Sequence, residues 1–344
     1  MGLLKVTGTV AIDQFWPYGE SDADTNKVLV AVGDDAFEYR PHAGAAFAPT
    51  NVFAGASVVG KSGKKSAIDK KGRITVRLQG IDAPELHYKA SPLPRTSNVT
   101  PKQRERFNEA NRTKYRQPMG ETATVELYNL LNRAGQVKIP CTVITAVEEP
   151  GDAFDTYGRF VGDVTVRVDG EDVNLNRWLV QEGWAFPAFY ASMSADEIKT
   201  LLADATKNRK TAGRVWKLLK SKIGSLDTRW VYRGKGATPD KDADIGPIIM
   251  PKLFRRLVSF SAMKTAKMVS GSFRQYLADT QRKRQYSFFL TDEVLDQGVP
   301  ASATYFLSDF FSINGRFTLK PEDLVFREES SRLVGPDGKK IVVW

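Results

Sequence analysis

The order of hydrophobic periods constrains this chain most: two-residue alternation dominates early, helical spacing dominates late, and the two never settle into βαβ units. Residues 5–13 and 25–32 alternate apolar and polar side chains, as half-buried strands do. Arg73 to Gly80 is a further strand with Ile74, Val76 and Leu78 on one face, and Asp82-Ala83-Pro84-Glu85 stops it, because proline cannot continue a central strand. Strands follow at 136–147 and 159–168, the second running into a Val168-Asp169-Gly170 turn. Thr100-Pro101-Lys102-Gln103 opens a basic helix over about 101–115, with Thr at the N-cap, Pro in the first turn and Gln three residues on. Further helices are predicted at 118–133, at 173–182 with Gly183 as C-cap, and at 195–219 with Ile198, Leu201, Leu202, Ala205 and Val215 inward. This order excludes a doubly wound parallel sheet and predicts a β-barrel with packed helices.

A chain of 344 residues holds two average domains. The first is expected over 1–233, interrupted by an Ala/Gly-rich insertion at about 33–72 that ends in a basic run, and by a second insertion at about 88–116. Residues 234–246 are polar and Gly/Pro-rich, the composition of a linker. Residues 247–344 read as a small α+β unit with a basic helix at 270–286, a hairpin at Asn314-Gly315, and a terminal hairpin arm from Pro336-Asp337-Gly338 through Trp344. Its aromatic residues Phe288, Phe289, Tyr305, Phe306, Phe310 and Phe311 are expected in a core.

Net charge is +10, which solubility explains as well as a partner does. Its distribution says more. Residues 207–284 carry 20 Lys/Arg against 5 Asp/Glu, and residues 89–116 carry 8 against 2. Such tracts attract a polyanion in a salt-dependent way. No run of eighteen apolar residues is present, so no membrane-spanning helix is expected. The first residues lack a signal-peptide pattern and there is one cysteine, Cys141, so a cytoplasmic setting is the expectation, with export by a signal-independent route left open. Oligomeric state is open.

Asp82 and Glu85 lie three residues apart across a proline turn at a strand end. Two carboxylates so placed suit one hard cation and one polarised water, but taken alone the tetrapeptide reads better as a solvated turn. Arg77, five residues before Asp82, lies on the opposite face of an ideal strand, so the turn must redirect the chain. Only His42 and His87 are present, which disfavours histidine-based metal sites, and His87 reads as a loop residue.

Arg77-Leu-Gln-Gly-Ile-Asp82-Ala83-Pro-Glu85 resembles the central motif of the staphylococcal nuclease family. Tyr157-Gly-Arg159 resembles its second arginine motif, and Asp22-Ala-Asp24-Thr25 resembles its Asp-Gly-Asp-Thr with alanine for glycine. Gln117 to Ala123, Val173-Asn174 through Gly183, and Ala212 to Trp216 are similar to its helix starts and ends, all in the family's order over about residues 1–218. The resemblance implies a five-stranded OB-type barrel with packed helices. It implies one Ca²⁺ (or another divalent cation) held by Asp24, Asp82 and the Ala83 carbonyl, with Asp22 behind them. Glu85 would activate water, Arg77 and Arg159 would hold the phosphate, and Tyr157, Phe189 or Tyr190 would meet the nucleotide. The implied activity is hydrolysis of DNA and/or RNA with low sequence specificity. A site of two carboxylates and a carbonyl holds Ca²⁺ weakly, at a Kd on the order of 10⁻⁴–10⁻³ M. The alternative on the same fold is a catalytically silent module that binds nucleic acid or protein. The C-terminal unit is expected to tether substrate or a protein partner.

Overall fold

The computed structural model describes residues 1–211, 213–279, 287–299, 301–327 and 331–344. Strand β1 (Gly2–Ala11) alternates buried and half-exposed positions along its length, with Leu4, Val6 and Val10 inward, and β2 (Thr25–Val30) follows. The first insertion forms β3 (Phe37–Arg40), the short β4 (Ala48–Pro49), and a hairpin of β5 (Ser57–Gly60) with β6 (Gly63–Ser66). Then come β7 (Arg73–Leu78) and, past a sharp break, β8 (Ile81–Asp82). Helix α1 (Pro101–Ala110) has the reciprocal Thr100–Gln103 cap, and α2 (Gly120–Asn132) turns Ala123, Leu127, Leu130 and Leu131 inward. Strands β9 (Lys138–Val147), β10 (Phe160–Val168) and β11 (Glu171–Asn174) precede α3 (Leu175–Gln181).

Five of these strands close on themselves. β1 pairs antiparallel with β2 and β9, β9 with β10, and β2 with β7, while β10 closes the ring on β7 in parallel. This is the expected OB-type barrel with packed helices. Closure leaves its five strands without a free edge, and burying each inward Val, Leu or Phe contributes about 1.5–3 kcal/mol.

After α3 the chain makes two-residue strands β12 (Phe186–Pro187) and β13 (Phe189–Tyr190), then α4 (Ala195–Lys210) and α5 (Arg214–Leu218). The single helix expected over 195–219 is therefore two: Gly213, whose Cβ position would lie 2.2 Å from Asn208 Oδ1, sits at the break. Ala212 lies outside the described residues.

The segment 234–246 is pinned along the start of α2. The Asp240 N–H donates to Glu121 Oε2 at 2.9 Å, and the Arg233 and Arg116 guanidiniums reach the same carboxylate at 3.2 and 3.0 Å. Thr122 Oγ1 donates to Asp244 Oδ1 at 2.7 Å.

Beyond it, α6 (Pro251–Thr265) buries Leu253, Phe254, Leu257 and Val258, and α7 (Phe273–Ala278) follows. The basic helix expected over 270–286 is thus confined to Phe273–Ala278 as far as residue 279, and 280–286 lie outside the described residues. The long helix of this region is α6, which sequence reading passes over: Pro247 and Pro251 look like breakers, yet Pro251 occupies the first helical turn, where no N–H is needed. β14 (Ser287–Leu290), α8 (Thr291–Gln297), β15 (Tyr305–Phe306), β16 (Leu324–Phe326) and β17 (Arg332–Val334) complete the chain. Phe288, Phe289 and Phe311 are buried in core. The Asn314-Gly315 turn brings Phe311 against Phe317, and the Pro336-Asp337-Gly338 turn returns Ile341 to Leu333 without a regular final strand.

This C-terminal part is not free-standing. β16 pairs in parallel with β13, β17 pairs with β5 of the first insertion, and Ile248, Phe289, Val325 and Leu333 share the barrel's own hydrophobic core. Among the described residues no helix is long and apolar enough to cross a membrane.

Candidate active site

The break after β7 builds the site. Gly80 takes φ +74, and a Cβ there would come 2.5 Å from Leu201 Cδ1 and 2.8 Å from Met193 Cε, so both its backbone and its surroundings call for glycine. The chain turns through it, and β8 leaves the barrel to pair with β12. Arg77 and Asp82, on opposite faces of an ideal strand, thereby meet: Arg77 Nη2 donates to Asp82 Oδ1 at 2.8 Å and to the Ile81 carbonyl at 2.9 Å. Asp24, at the mouth of β2, ion-pairs with Arg77 Nη1 and accepts the Ala83 N–H at 3.2 Å. Burial alone would raise Asp24's pKa, but Arg77 above all, with help from Arg159 and Arg255, holds it down to about 2.

Glu85 is buried, and Gln117 clamps its backbone from both sides. Burial pushes its carboxyl up to about 8, with the charges of Asp82, Asp24 and Asp22 adding and Arg255 opposing. Arg159 is fixed by Asp155, its Nε at 2.8 Å from Oδ2, and its Nη1 approaches Thr25 Oγ1 at 3.3 Å. Tyr157 is half exposed beside it, its ring 5.9 Å from the Arg159 guanidinium.

The side chains of Asp24, Arg77, Glu85, Arg159 and Tyr157 line one cleft of about 1250 Å³, and Asp82 lies buried behind its wall. Its walls come from both ends of the chain: Asp22, Asp24, Arg77, Glu85 and Arg159 on one side, and Lys252, Arg255, Arg256 and Arg327 on the other. The β5–β6 hairpin contributes Lys61 and Lys65. Of the aromatic residues expected at substrate, Tyr157 and Tyr190 line the cleft, and the Tyr190 hydroxyl accepts from Lys252 Nζ at 2.8 Å. Phe189 does not: it is fully buried in the barrel core, because alternation along β13 sends it to the face opposite Tyr190. His87 lines the cleft with Nε2 donating to the Glu20 carbonyl at 2.7 Å. The start of the second insertion adds Tyr88, Lys89 and Ser91 to the cleft, but its helix does not cover it. α1 instead packs on α6 through Phe107 against Ala262 and Ala266.

Sequence reading missed Arg255. From α6 its Nη2 reaches Asp82 Oδ1 and Oδ2 at 3.0 and 2.9 Å, and its Nη1 pairs with Glu85 Oε1. The basic tract over 207–284 was the available signal, but only tertiary packing selects Arg255 from it.

The donors here are all oxygens, a set suited to a hard cation. Asp22 Oδ1 is buried with no hydrogen-bond partner, and burial followed by the charge of Asp24 raises this carboxyl's pKa. In donor chemistry the site fits a divalent cation. Guanidiniums nonetheless contact Asp24, Asp82 and Glu85, and among the described residues no group of three or more His, Cys, Asp or Glu is arranged to hold a metal.

A closed OB-type barrel with carboxylates and arginines gathered at one break in a strand defines a nuclease-like or nucleic-acid-binding module. A family model described as "Staphylococcal nuclease homologue" matches residues 75–217, so that stretch is similar to that family. The match begins within β7 and ends in α5, leaving Asp24 and Arg255 outside it. No curated protein matches the chain.

Proposed function

We propose that the protein is a Ca²⁺-dependent phosphodiesterase that hydrolyses DNA and/or RNA with low sequence specificity. The observation that carries this reading is the gathering of Asp24, Glu85, Arg77 and Arg159 on one basic cleft, with Asp82 buried behind them on Arg77. Asp24, Asp82 and the Ala83 carbonyl would hold the cation, with Asp22 behind them. When bound, the ion supplies charge stabilisation to the phosphate oxygens. Arg77 and Arg159 direct guanidiniums at the same phosphate, where charge grows on the equatorial oxygens during in-line attack. Asp155 keeps Arg159 aimed. Glu85 takes the proton of the attacking water, and its burial keeps competing solvent away. Tyr157 and Tyr190 pack on the nucleotide. The basic wall from the C-terminal part supports a role for that part in holding nucleic acid.

The second reading is a catalytically silent binding module, favoured by the guanidiniums already lying on the carboxylates. The test incubates purified protein with plasmid DNA and single-stranded RNA under Ca²⁺, Mg²⁺ or chelator, beside Glu85→Gln and Arg77→Ala. Ca²⁺-dependent degradation lost in both variants supports the enzyme. Binding without cleavage under every cation, unchanged in the variants, refutes it.

A further inference from the structure

Arg255 lies outside the family match, yet it touches the two carboxylates on which the proposed chemistry depends. Its helix is braced: α1 packs on α6, and Gln103 Nε2 donates to the Lys267 carbonyl at 3.1 Å just beyond the helix end. The side chain itself is 26% exposed on the cleft wall, so its head can turn while its backbone stays put. A guanidinium is a planar fork that fits a carboxylate or a phosphate in the same bidentate manner. On Asp82 and Glu85 it occupies the lone pairs and supplies the positive charge that a divalent cation would otherwise bring.

We propose that Arg255 is a third phosphate-binding arginine, resting in the free protein on Asp82 and Glu85 where a divalent cation competes with it, and transferring to a nucleic-acid phosphate when that cation arrives. The proposal rests on the reading that Asp24 and Asp82 hold the cation. In the exchange the cation takes Asp82, Glu85 is released to act on water, and the guanidinium takes the phosphate. Cation and nucleic acid therefore favour each other's binding by equal factors.

The two affinities must then respond to Arg255→Ala with opposite sign. By calorimetry with Ca²⁺ alone, the variant binds about tenfold more tightly, since its competitor is gone. By fluorescence anisotropy with a labelled phosphorothioate oligothymidylate in saturating Ca²⁺, it binds about tenfold more weakly. Arg255→Lys keeps the charge without the fork and falls between the two. Lys252→Ala, which removes a neighbouring cation resting on Tyr190, shifts Ca²⁺ affinity less than threefold; a shift as large as that of Arg255→Ala would reduce the effect to a general field and overturn the proposal. So would Ca²⁺ affinity unchanged in Arg255→Ala, or both affinities moving the same way, and a Ca²⁺ signal still abolished by Asp24→Asn would then leave the cation site standing. A Ca²⁺ signal indifferent to Asp24→Asn, or absent from both wild type and Arg255→Ala, removes the cation site and this proposal with it.

Discussion

Glu121→Gln isolates the energy that fixes the C-terminal wall. Glu121 is fully buried and serves three partners: the Arg116 guanidinium at 3.0 Å, Arg233 at 3.2 Å and the Asp240 N–H at 2.9 Å. Arg116 is itself only 2% exposed, with Asp240 as its other carboxylate at 3.3 Å. Removing one member of a buried pair costs about 3–5 kcal/mol, chiefly through the charge left behind. Glutamine keeps an acceptor for Asp240, and Asp240 still faces Arg116, so the lower end applies, about 3 kcal/mol. Equilibrium unfolding in urea measures it as a lower midpoint at unchanged slope. Limited proteolysis should show faster cutting within 229–246, because the same carboxylate ties that segment to α2. Adding Arg116→Met removes the stranded charge and should recover at least half the loss. A cost below about 1 kcal/mol, or a double variant as unstable as the two single losses summed, refutes the reasoning.

Asp163 is half-buried, and desolvation raises its pKa to about 6, so the fold penalises its ionised form. Ionisation then opposes folding by about 3 kcal/mol above pH 6, partly between pH 4 and 6, and not at all below. Asp163→Asn should stabilise by that amount at pH 8 and lose its advantage as pH falls to 4 in parallel melts. Gly80→Ala meets the φ +74 and the close approach of Leu201 and Met193, and should cost about 2–4 kcal/mol in urea. Asp155→Asn weakens the hold of one carboxylate oxygen on Arg159 Nε and Nη2, and should lower cleavage about tenfold or more with a change in melting temperature of only a few degrees. Trp344→Ala loses the stack on Tyr39 at 4.2 Å and the bond from its Nε1 to the Glu148 carbonyl, about 2 kcal/mol by thermal or chemical unfolding.

The barrel was legible because its strands are long and alternate cleanly, as in β1 and β10, and because glycine and proline punctuate the break after β7. Thr100, Pro101 and Gln103 announced α1 for the same reason: a cap is written in adjacent residues. Where the reading failed, the deciding contact lay far along the chain. Phe189 and Tyr190 are neighbours in sequence and both aromatic, and only the pairing of β13 with β16 determines which one enters the core. Gly213 split a helix that continuous periodicity had joined, through a crowded approach to Asn208. Arg255 stands 170 positions from Glu85, so no local pattern links them. The motif residues within the barrel were found because each rides on a short stretch that sequence similarity preserves; their ion-pair partners were not, because charge complementarity across a cleft leaves no spacing to read.

The pairing of β13 with β16 also has a consequence in time. A ribosome releases the amino end first, so Asp24, Arg77, Glu85 and Arg159 emerge while Lys252, Arg255 and Arg327 have yet to be translated. Strand β13 waits for Leu324–Phe326, and β5 waits still longer for Arg332–Val334. The two-walled cleft is therefore acquired only once Leu324–Phe326 and Arg332–Val334 have been made, well after the motif residues.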